Sequence, residues 1–252
     1  MASYSITYKL PPVLAPAVFN PEPRIHTMAL SNGQAVYVID DFVQNPNDLV
    51  ALAESQSHRF FTPKGHPYPG PQLLMPKDYS ANLAEFFQRH FPTRLQWEHP
   101  VSMYARFSRV TQDAATLDGR QRICHRDNTD VDPKHVISAM VHYLFHDEQL
   151  GGTVFFRPLK SVDETQNLFF DACNLDGDAF GKKYGLPAAY MTSSNAYFEV
   201  IGRVNPKFNR AIFYDGEILH SGDIKSPVAT PNQSGLGRLT INGFFTSTKP
   251  IR

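Results

Sequence analysis

Hydrophobic and polar positions in the first part of the chain predict a strand followed by a helix. Residues 34–43, QAVYVIDDFV, are rich in β-branched and aromatic side chains and predict the strand. Asn45-Pro46 is typical of a helix start. The residues that follow have apolar side chains at the spacing of one buried helical face: Leu49, Leu52, Ala53 and Phe60.

Residues 80–91, SANLAEFFQRHF, repeat this helical spacing, and Ser80 is the expected N-cap. Between the two helices, residues 62–76, TPKGHPYPGPQLLMP, predict a loop because proline and glycine are dense there. Residues 1–24 are rich in proline and are expected to be extended.

From about residue 94 the pattern changes to short aromatic and β-branched runs separated by turn residues: RLQWEHPVSMYARFSRV, HVISAMVHYLF, GGTVFFRP, NAYFEVIGRV, RAIFYDG and GRLTINGFFTS. This spacing predicts an all-β sandwich or barrel behind a small helical layer. Residues 161–194 interrupt it, with a helix expected near 163–183, and form an insertion that could act as a lid. We therefore predict one domain over residues 1–252, with an N-terminal layer of strand and helices over 1–93 and a β core over 94–252 that carries the insertion.

Composition excludes several functional classes. The 252 residues are 42% hydrophobic, enough for a sizeable core, and the 24 Lys and Arg balance the 24 Asp and Glu, so no nucleic-acid footprint is predicted. The two cysteines, Cys124 and Cys173, do not form a disulfide framework or a CxxC motif. The chain contains no apolar run of membrane-spanning length, and a cytoplasmic protein without a membrane partner is expected.

The stretch ICHRDNTD, residues 123–130, contains a histidine and an aspartate two positions apart. In a strand, His125 and Asp127 would project to the same face and could bind one metal ion. The pattern alone is also typical of a solvated polar turn.

His220, in AIFYDGEILHSGDI, is the best candidate for a third ligand. Two histidines and one carboxylate on a β scaffold would leave half of an octahedral shell open, as in non-haem Fe(II) oxygenases. Taken alone, a histidine such as His220 is more often a hydrogen-bonded structural residue than a ligand, and His142 and His146 are not predicted to be ligands.

Further along, the strand GRLTINGFF (237–245) places Arg238, Thr240 and Asn242 on one face, where a guanidinium and a hydroxyl could bind a carboxylate. A surface arginine on an edge strand is the alternative. Gly151-Gly152 suits a tight hairpin in a barrel wall.

Five motifs follow one another along the chain: the HxD pair, the YL strand at Tyr143-Leu144, GGTVFF (151–156), the distal His220 and GRLT (237–240). Motifs of this kind in this order resemble the Fe(II)- and 2-oxoglutarate-dependent dioxygenases, in particular the prolyl-hydroxylase-like branch. The resemblance covers roughly residues 100–246. It implies a double-stranded β-helix, or jelly-roll, supported by N-terminal helices.

The resemblance also implies roles for single residues. His125, Asp127 and His220 would bind iron, Arg238 would bind the distal carboxylate of 2-oxoglutarate, and three further residues have candidate roles in this cosubstrate site. Thr240 would provide a hydroxyl, and Tyr143 would provide a phenol or serve as a core aromatic. Lys225 is an alternative to Arg238 as the residue that binds the distal carboxylate, because the interval between His220 and Arg238 is longer than in many relatives.

The implied reaction is hydroxylation of an unactivated C–H bond of an amino acid, peptidyl residue or small metabolite, using O₂ and releasing succinate and CO₂. Halogenases of this family replace the aspartate with a small residue, so Asp127 favours hydroxylation. Two alternatives stay open: a cupin-like metal-dependent isomerase or hydrolase, and a non-catalytic jelly-roll binding module. Candidate substrate contacts are Arg157, the HPYPGP loop (66–71) and five aromatics, Phe169, Phe170, Phe180, Tyr184 and Tyr190, and for the loop and the aromatics ordinary packing is the favoured alternative.

Overall fold

Ten strands form two antiparallel sheets in the computed structural model, which describes residues 16–62, 67–127, 132–225 and 236–250. The strands are β1 Ile25–Ala29, β2 Ala35–Ile39, β3 Gln72–Leu74, β4 Pro100–Arg109, β5 His135–Tyr143, β6 Thr153–Pro158, β7 Phe198–Val204, β8 Ala211–Asp215, β9 Leu219–Gly222 and β10 Leu239–Thr248. The helices are α1 Pro46–Ser55, α2 Lys77–His90, α3 Val162–Asn174 and α4 Gly177–Tyr184. Of the helices in these residues, none has both the length and the apolar character needed to cross a membrane.

The large sheet has the strand order β1-β2-β8-β5-β10-β4-β3. Successive side chains along each strand point to opposite faces of the sheet. On one face, Phe107 and Phe245 pack against α1 and α2, and the Phe87 ring stacks on Phe245 at 3.9 Å between centroids. On the other face, polar side chains of β4 and β10 are in register, with Thr240 opposite Ser108.

The small sheet has the order β7-β6-β9 and is continued by an isolated bridge between His125 and His220. An apolar cluster packs between the two sheets and contains side chains from both, among them Phe155 of β6 and Tyr214 of β8. Two facing antiparallel sheets around such a cluster form a jelly-roll, so the predicted fold class is confirmed.

Both predicted N-terminal helices are present, with different bounds. α1 ends at Ser55, and Phe60 follows a separate 3₁₀ turn rather than lying on the same helix. Ser80 is not the N-cap of α2, since this helix begins at Lys77 after Pro76. Pro76 itself occupies the N-cap position, and the Ser80 N–H donates to the Pro76 carbonyl at 3.2 Å, which closes the first helical turn.

Strands from the predicted N-terminal layer, residues 1–93, are part of the same sheet as strands from the predicted core, residues 94–252. β1, β2 and β3 all come from the first 93 residues and belong to the large sheet. β3 lies within the segment that was predicted to be a loop, because Gln72–Leu74 pairs with Ser108–Arg106 of β4. Pairing with a distant strand overrides the local loop signal. Residues 1–15, predicted to be extended, lie outside the described part of the chain.

Two helices, α3 and α4, replace the single helix expected in the insertion. A capping box at Ser161 and Glu164 starts α3, and the Asp176 carboxylate accepts the backbone N–H of Ala179 at the start of α4. Leu168 and Phe180 are buried against the outer face of the small sheet. The insertion is thus packed on the barrel wall.

Candidate active site

Three predicted ligand residues converge at one end of the jelly-roll. Candidate ligand atoms of His125, Asp127 and His220 all lie within 4.8 Å of one another. His125 Nε2 is 3.6 Å from Asp127 Oδ1, and His220 Nε2 is 3.4 Å from Asp127 Oδ2. The sequence prediction brought together the same three side chains.

Backbone pairing explains this convergence. The His125 N–H donates to the His220 carbonyl at 3.0 Å, and the His220 N–H donates back at 2.9 Å. Directly opposed residues of an antiparallel pair have side chains on the same face. The Asp127 N–H donates to the Gly216 carbonyl at 2.9 Å, which brings the carboxylate beside the two imidazoles.

His220 is buried and held in one tautomer. Its Nδ1 donates to the Ile218 carbonyl at 2.9 Å, which leaves the lone pair of Nε2 directed toward Asp127. Burial lowers the pKa of His220 to about 4, although the Asp127 charge opposes this shift. A neutral imidazole oriented through its second nitrogen is the form that binds metals.

Asp127 is the anionic member of this cluster. Burial raises the pKa of its carboxyl group, but His220, His125 and Arg106 outweigh that effect, and the net pKa lies below its ordinary value. Asp127 Oδ2 is buried and accepts no hydrogen bond from the described residues. A buried carboxylate oxygen therefore faces the lone pair of a neutral imidazole.

Two acceptors in such contact need a cation between them or beside them. Imidazole and carboxylate donors suit divalent first-row metals, and three ligands leave coordination positions open. The side chain of His125 is 47% exposed, so the site is accessible from the cavity. The residues present fit a divalent metal such as Fe(II).

A cavity of about 300 Å³ opens beside the three residues. Arg238 lies in its wall, 6% exposed, and donates from Nε to the Gly151 carbonyl at 3.0 Å and from a terminal nitrogen to the Gly152 carbonyl at 2.8 Å. The rival cation, Lys225, is exposed and outside the cavity lining. Among described residues, no carboxylate forms an ion pair with Arg238.

Tyr68 is a cavity residue that sequence reasoning did not single out, although the HPYPGP loop was a candidate pocket segment. Its phenol interacts with Thr240, Ser108 and Arg238. Burial raises the pKa of Tyr68, and these three neighbours reduce the shift. Thr240 itself is fully buried outside the cavity lining, and its hydroxyl lies 3.0 Å from Asn242 Oδ1. His66 lies outside the described residues.

Tyr143 belongs to the core rather than to the cavity wall. Its side chain is fully buried, and its hydroxyl is bonded at 2.7 Å to the hydroxyl of Thr153, which does line the cavity. Burial raises the pKa of Tyr143 to about 12. Of its two predicted roles, the position fits the core aromatic.

Of the other residues proposed from the sequence as substrate contacts or considered as ligands, some line the cavity and others lie away from it. Tyr190 lines the cavity, whereas Phe169, Phe170, Phe180 and Tyr184 do not. Arg157 pairs with Glu199 at the surface of the small sheet. His142 is buried in the core, and His146 stacks on Phe208.

The chain belongs to DUF6445, a family of unknown function whose model matches residues 21–245. No curated protein matches the chain. Family membership alone therefore assigns no activity.

Solved structures share its fold. HygX from Streptomyces hygroscopicus, crystallised with nickel and 2-oxoglutarate bound, is 12% identical over 86% of this chain and 84% of its own, with a TM-score of 0.50. A truncated form of the viral collagen prolyl hydroxylase vCPH from Paramecium Bursaria Chlorella virus-1 is 13% identical over 92% and 97% of the two chains, with a TM-score of 0.46. The predicted resemblance is confirmed at the level of the fold.

Proposed function

We propose that this protein is an Fe(II)- and 2-oxoglutarate-dependent dioxygenase that hydroxylates a C–H bond. The observation that carries the proposal is the convergence of His125, Asp127 and His220 at a cavity whose wall contains the buried Arg238. The triad could hold the metal, and the guanidinium could bind a carboxylate of the cosubstrate.

Each residue then has a defined task. His125, Asp127 and His220 would hold Fe(II), and the Ile218 carbonyl keeps the His220 ring oriented. Arg238, fixed by the carbonyls of Gly151 and Gly152, would bind the distal carboxylate of 2-oxoglutarate, with the phenol of Tyr68 beside it. When bound, Fe(II), 2-oxoglutarate and O₂ supply the oxidation, with release of succinate and CO₂.

HygX supports the cofactor assignment, since it has the same fold and binds nickel and 2-oxoglutarate. The retained carboxylate of Asp127 supports hydroxylation as the outcome. As substrate we propose a free amino acid, a peptidyl residue or another small metabolite, with no nucleic-acid or membrane partner. A cytoplasmic location stays a prediction.

The test uses purified protein under anaerobic conditions. Adding Fe(II) and 2-oxoglutarate should produce a weak visible charge-transfer band, and subsequent exposure to air should yield succinate. The His220→Ala variant should lose the band and the succinate. His146→Ala removes an exposed histidine outside the cavity and should retain both.

Absence of band and succinate, with His220→Ala indistinguishable from the unmodified protein, would refute the oxygenase. Zinc or manganese binding that depends on the same three residues, without 2-oxoglutarate binding, would instead favour the cupin-like isomerase or hydrolase. Binding of no metal at all would favour the non-catalytic module.

A further inference from the structure

The end of the insertion forms part of the cavity wall beside the proposed ligands. Tyr190 and Met191 both line the cavity, and Met191 is 6% exposed. Met191 belongs to one buried apolar cluster with Ile123, two residues before His125, and with Leu219, the residue before His220. This methionine therefore lies where the two histidine-bearing parts of the chain meet.

Two hydrogen bonds join Met191 to residues next to the proposed ligands. The Cys124 N–H donates to Met191 Sδ at 3.1 Å, and the Ser221 hydroxyl donates to the Met191 carbonyl at 2.6 Å. Cys124 precedes His125, and Ser221 follows His220. A single residue of the insertion thus connects both segments, in addition to the backbone bridge between His125 and His220.

The neighbours of Met191 are themselves held in place. The Tyr190 hydroxyl donates to the Gln112 carbonyl at 2.7 Å, and the Arg203 guanidinium donates to the Thr192 carbonyl at 2.6 Å. Because the residues on both sides are fixed, Met191 is a stable anchor for the two segments that it connects.

The sulfur contact matters because the Cys124 amide is in the interior. A thioether is a weak acceptor, but Cys124 is fully buried, and a buried N–H that loses its acceptor costs more than the bond itself contributes. Leucine at position 191 would occupy a similar volume without accepting this N–H. The segment would then shift to satisfy the amide, and His125 would shift with it.

We infer that Met191 is a positioning residue, which holds the segments of His125 and His220 in the relative placement that metal binding needs. This inference rests on the proposed function, and it makes the end of the insertion a fixed part of the site rather than a lid. Contacts that support metal ligands without touching the metal typically change its affinity by about 10- to 100-fold when they are removed.

Calorimetric titration of full-length variants with Ni(II) tests the inference. Met191→Leu should weaken Ni(II) binding by about tenfold, and Ser221→Ala, which removes the second bond, should also weaken it. Met191→Gln, whose amide oxygen can accept the Cys124 N–H, should recover part of the loss. Met75→Leu is the matched control, because Met75 is a buried methionine of the core beneath the helices and lies outside the cavity lining.

Two further measurements separate positioning from a general loss of stability. The d–d absorption of Co(II) reports how the ligands are arranged around the metal, so Co(II)-saturated Met191→Leu should have shifted bands and Met75→Leu should have the unmodified spectrum. In the metal-free protein, amide hydrogen exchange of residues 123–127 should be faster in Met191→Leu and unchanged in Met75→Leu.

If Met191→Leu matches Met75→Leu in Ni(II) affinity and in Co(II) spectrum, the inference is wrong and the proposed function is untouched. Equal losses in both variants would also overturn it, since any change of a buried methionine would then have the same effect. If the unmodified protein binds neither Ni(II) nor 2-oxoglutarate, the oxygenase proposal fails. Hydrogen exchange then still decides whether Met191 holds the two segments together.

Discussion

Arg238 is a buried cation whose guanidinium donates to two neutral carbonyl groups, those of Gly151 and Gly152, and lies beside the Tyr68 phenol. A buried guanidinium held in this way is costly without an anion, and 2-oxoglutarate would provide one. We expect Arg238→Gln to weaken 2-oxoglutarate binding by about 2–3 kcal/mol, roughly 30- to 150-fold, while Ni(II) affinity stays within a few-fold. Calorimetric titration with each ligand measures the two affinities separately. An unchanged 2-oxoglutarate affinity would show that Arg238 does not bind the cosubstrate.

His142 makes the stability of the protein depend on pH at a position away from the proposed ligands. Its Nε2 is 3.1 Å from Asn209 Oδ1, which also accepts the Val43 N–H, so the imidazole is the donor. Its Nδ1 is buried and has no hydrogen-bond partner among described residues, and burial lowers the pKa of His142 to about 4.

The unfolded chain takes up this proton at about pH 6.5, earlier than the folded chain. The stability contribution of neutral His142 is thus present above about pH 6.5 and lost as the pH falls toward 4, by up to about 3 kcal/mol. His142→Gln should remove this component from the pH dependence of denaturant unfolding. If the free energy of unfolding of the variant depends on pH as that of the unmodified protein does, buried His142 is not the group responsible.

At the scale of elements, the turn that enters β6 fixes the position of Arg238. Gly151 has φ +79°, and a Cβ there would overlap the Asp223 carbonyl oxygen. Gly151→Ala should therefore destabilise the fold by several kcal/mol and weaken 2-oxoglutarate binding, since the Gly151 carbonyl holds Arg238. Denaturant titration and calorimetry measure the two effects.

Gly185 provides the matched control for this prediction. It ends α4 at φ +64°, but no atom lies within 4 Å of its would-be Cβ. Gly185→Ala should cost only about 1 kcal/mol and leave ligand binding unchanged. Equal costs at the two glycines would show that close backbone approach at Gly151 is unimportant.

Elements with a strong local pattern were predicted correctly from the sequence. α2 was found because Leu83, Phe86 and Phe87 repeat at helical spacing. β3 and β9 were not predicted as strands, since each is short and is defined by its pairing with β4 or β6. The proposed ligands could be found because motif order carries information that single residues lack, whereas Tyr68 and Arg106 reach the cavity only through the tertiary arrangement.

At the scale of the whole molecule, the proposed centre joins distant parts of the chain. His220 comes from β9, and the segment with His125 and Asp127 attaches to the small sheet through one bridge and to Gly216 through the Asp127 N–H. A metal bound by all three would stabilise the native state by mass action, by about 4 kcal/mol at a thousandfold excess over Kd. Ni(II) should therefore raise the Tm, and EDTA should reverse the rise.

Asp127→Asn should make the metal-free protein more stable and the protein in the presence of Ni(II) less stable. In the metal-free protein, an amide N–H at this position can donate to the lone pair of His220 Nε2, replacing a contact between two acceptors 3.4 Å apart. We expect the metal-free variant to gain about 1 kcal/mol, or 2–4 °C in Tm, and to lose the stabilisation by Ni(II), because the carboxylate charge is gone. Thermal unfolding with and without Ni(II) measures both. If the metal-free variant is instead less stable than the unmodified protein, the two histidines stabilise the ionised carboxylate of Asp127 without a metal, and these groups do not require a metal between them.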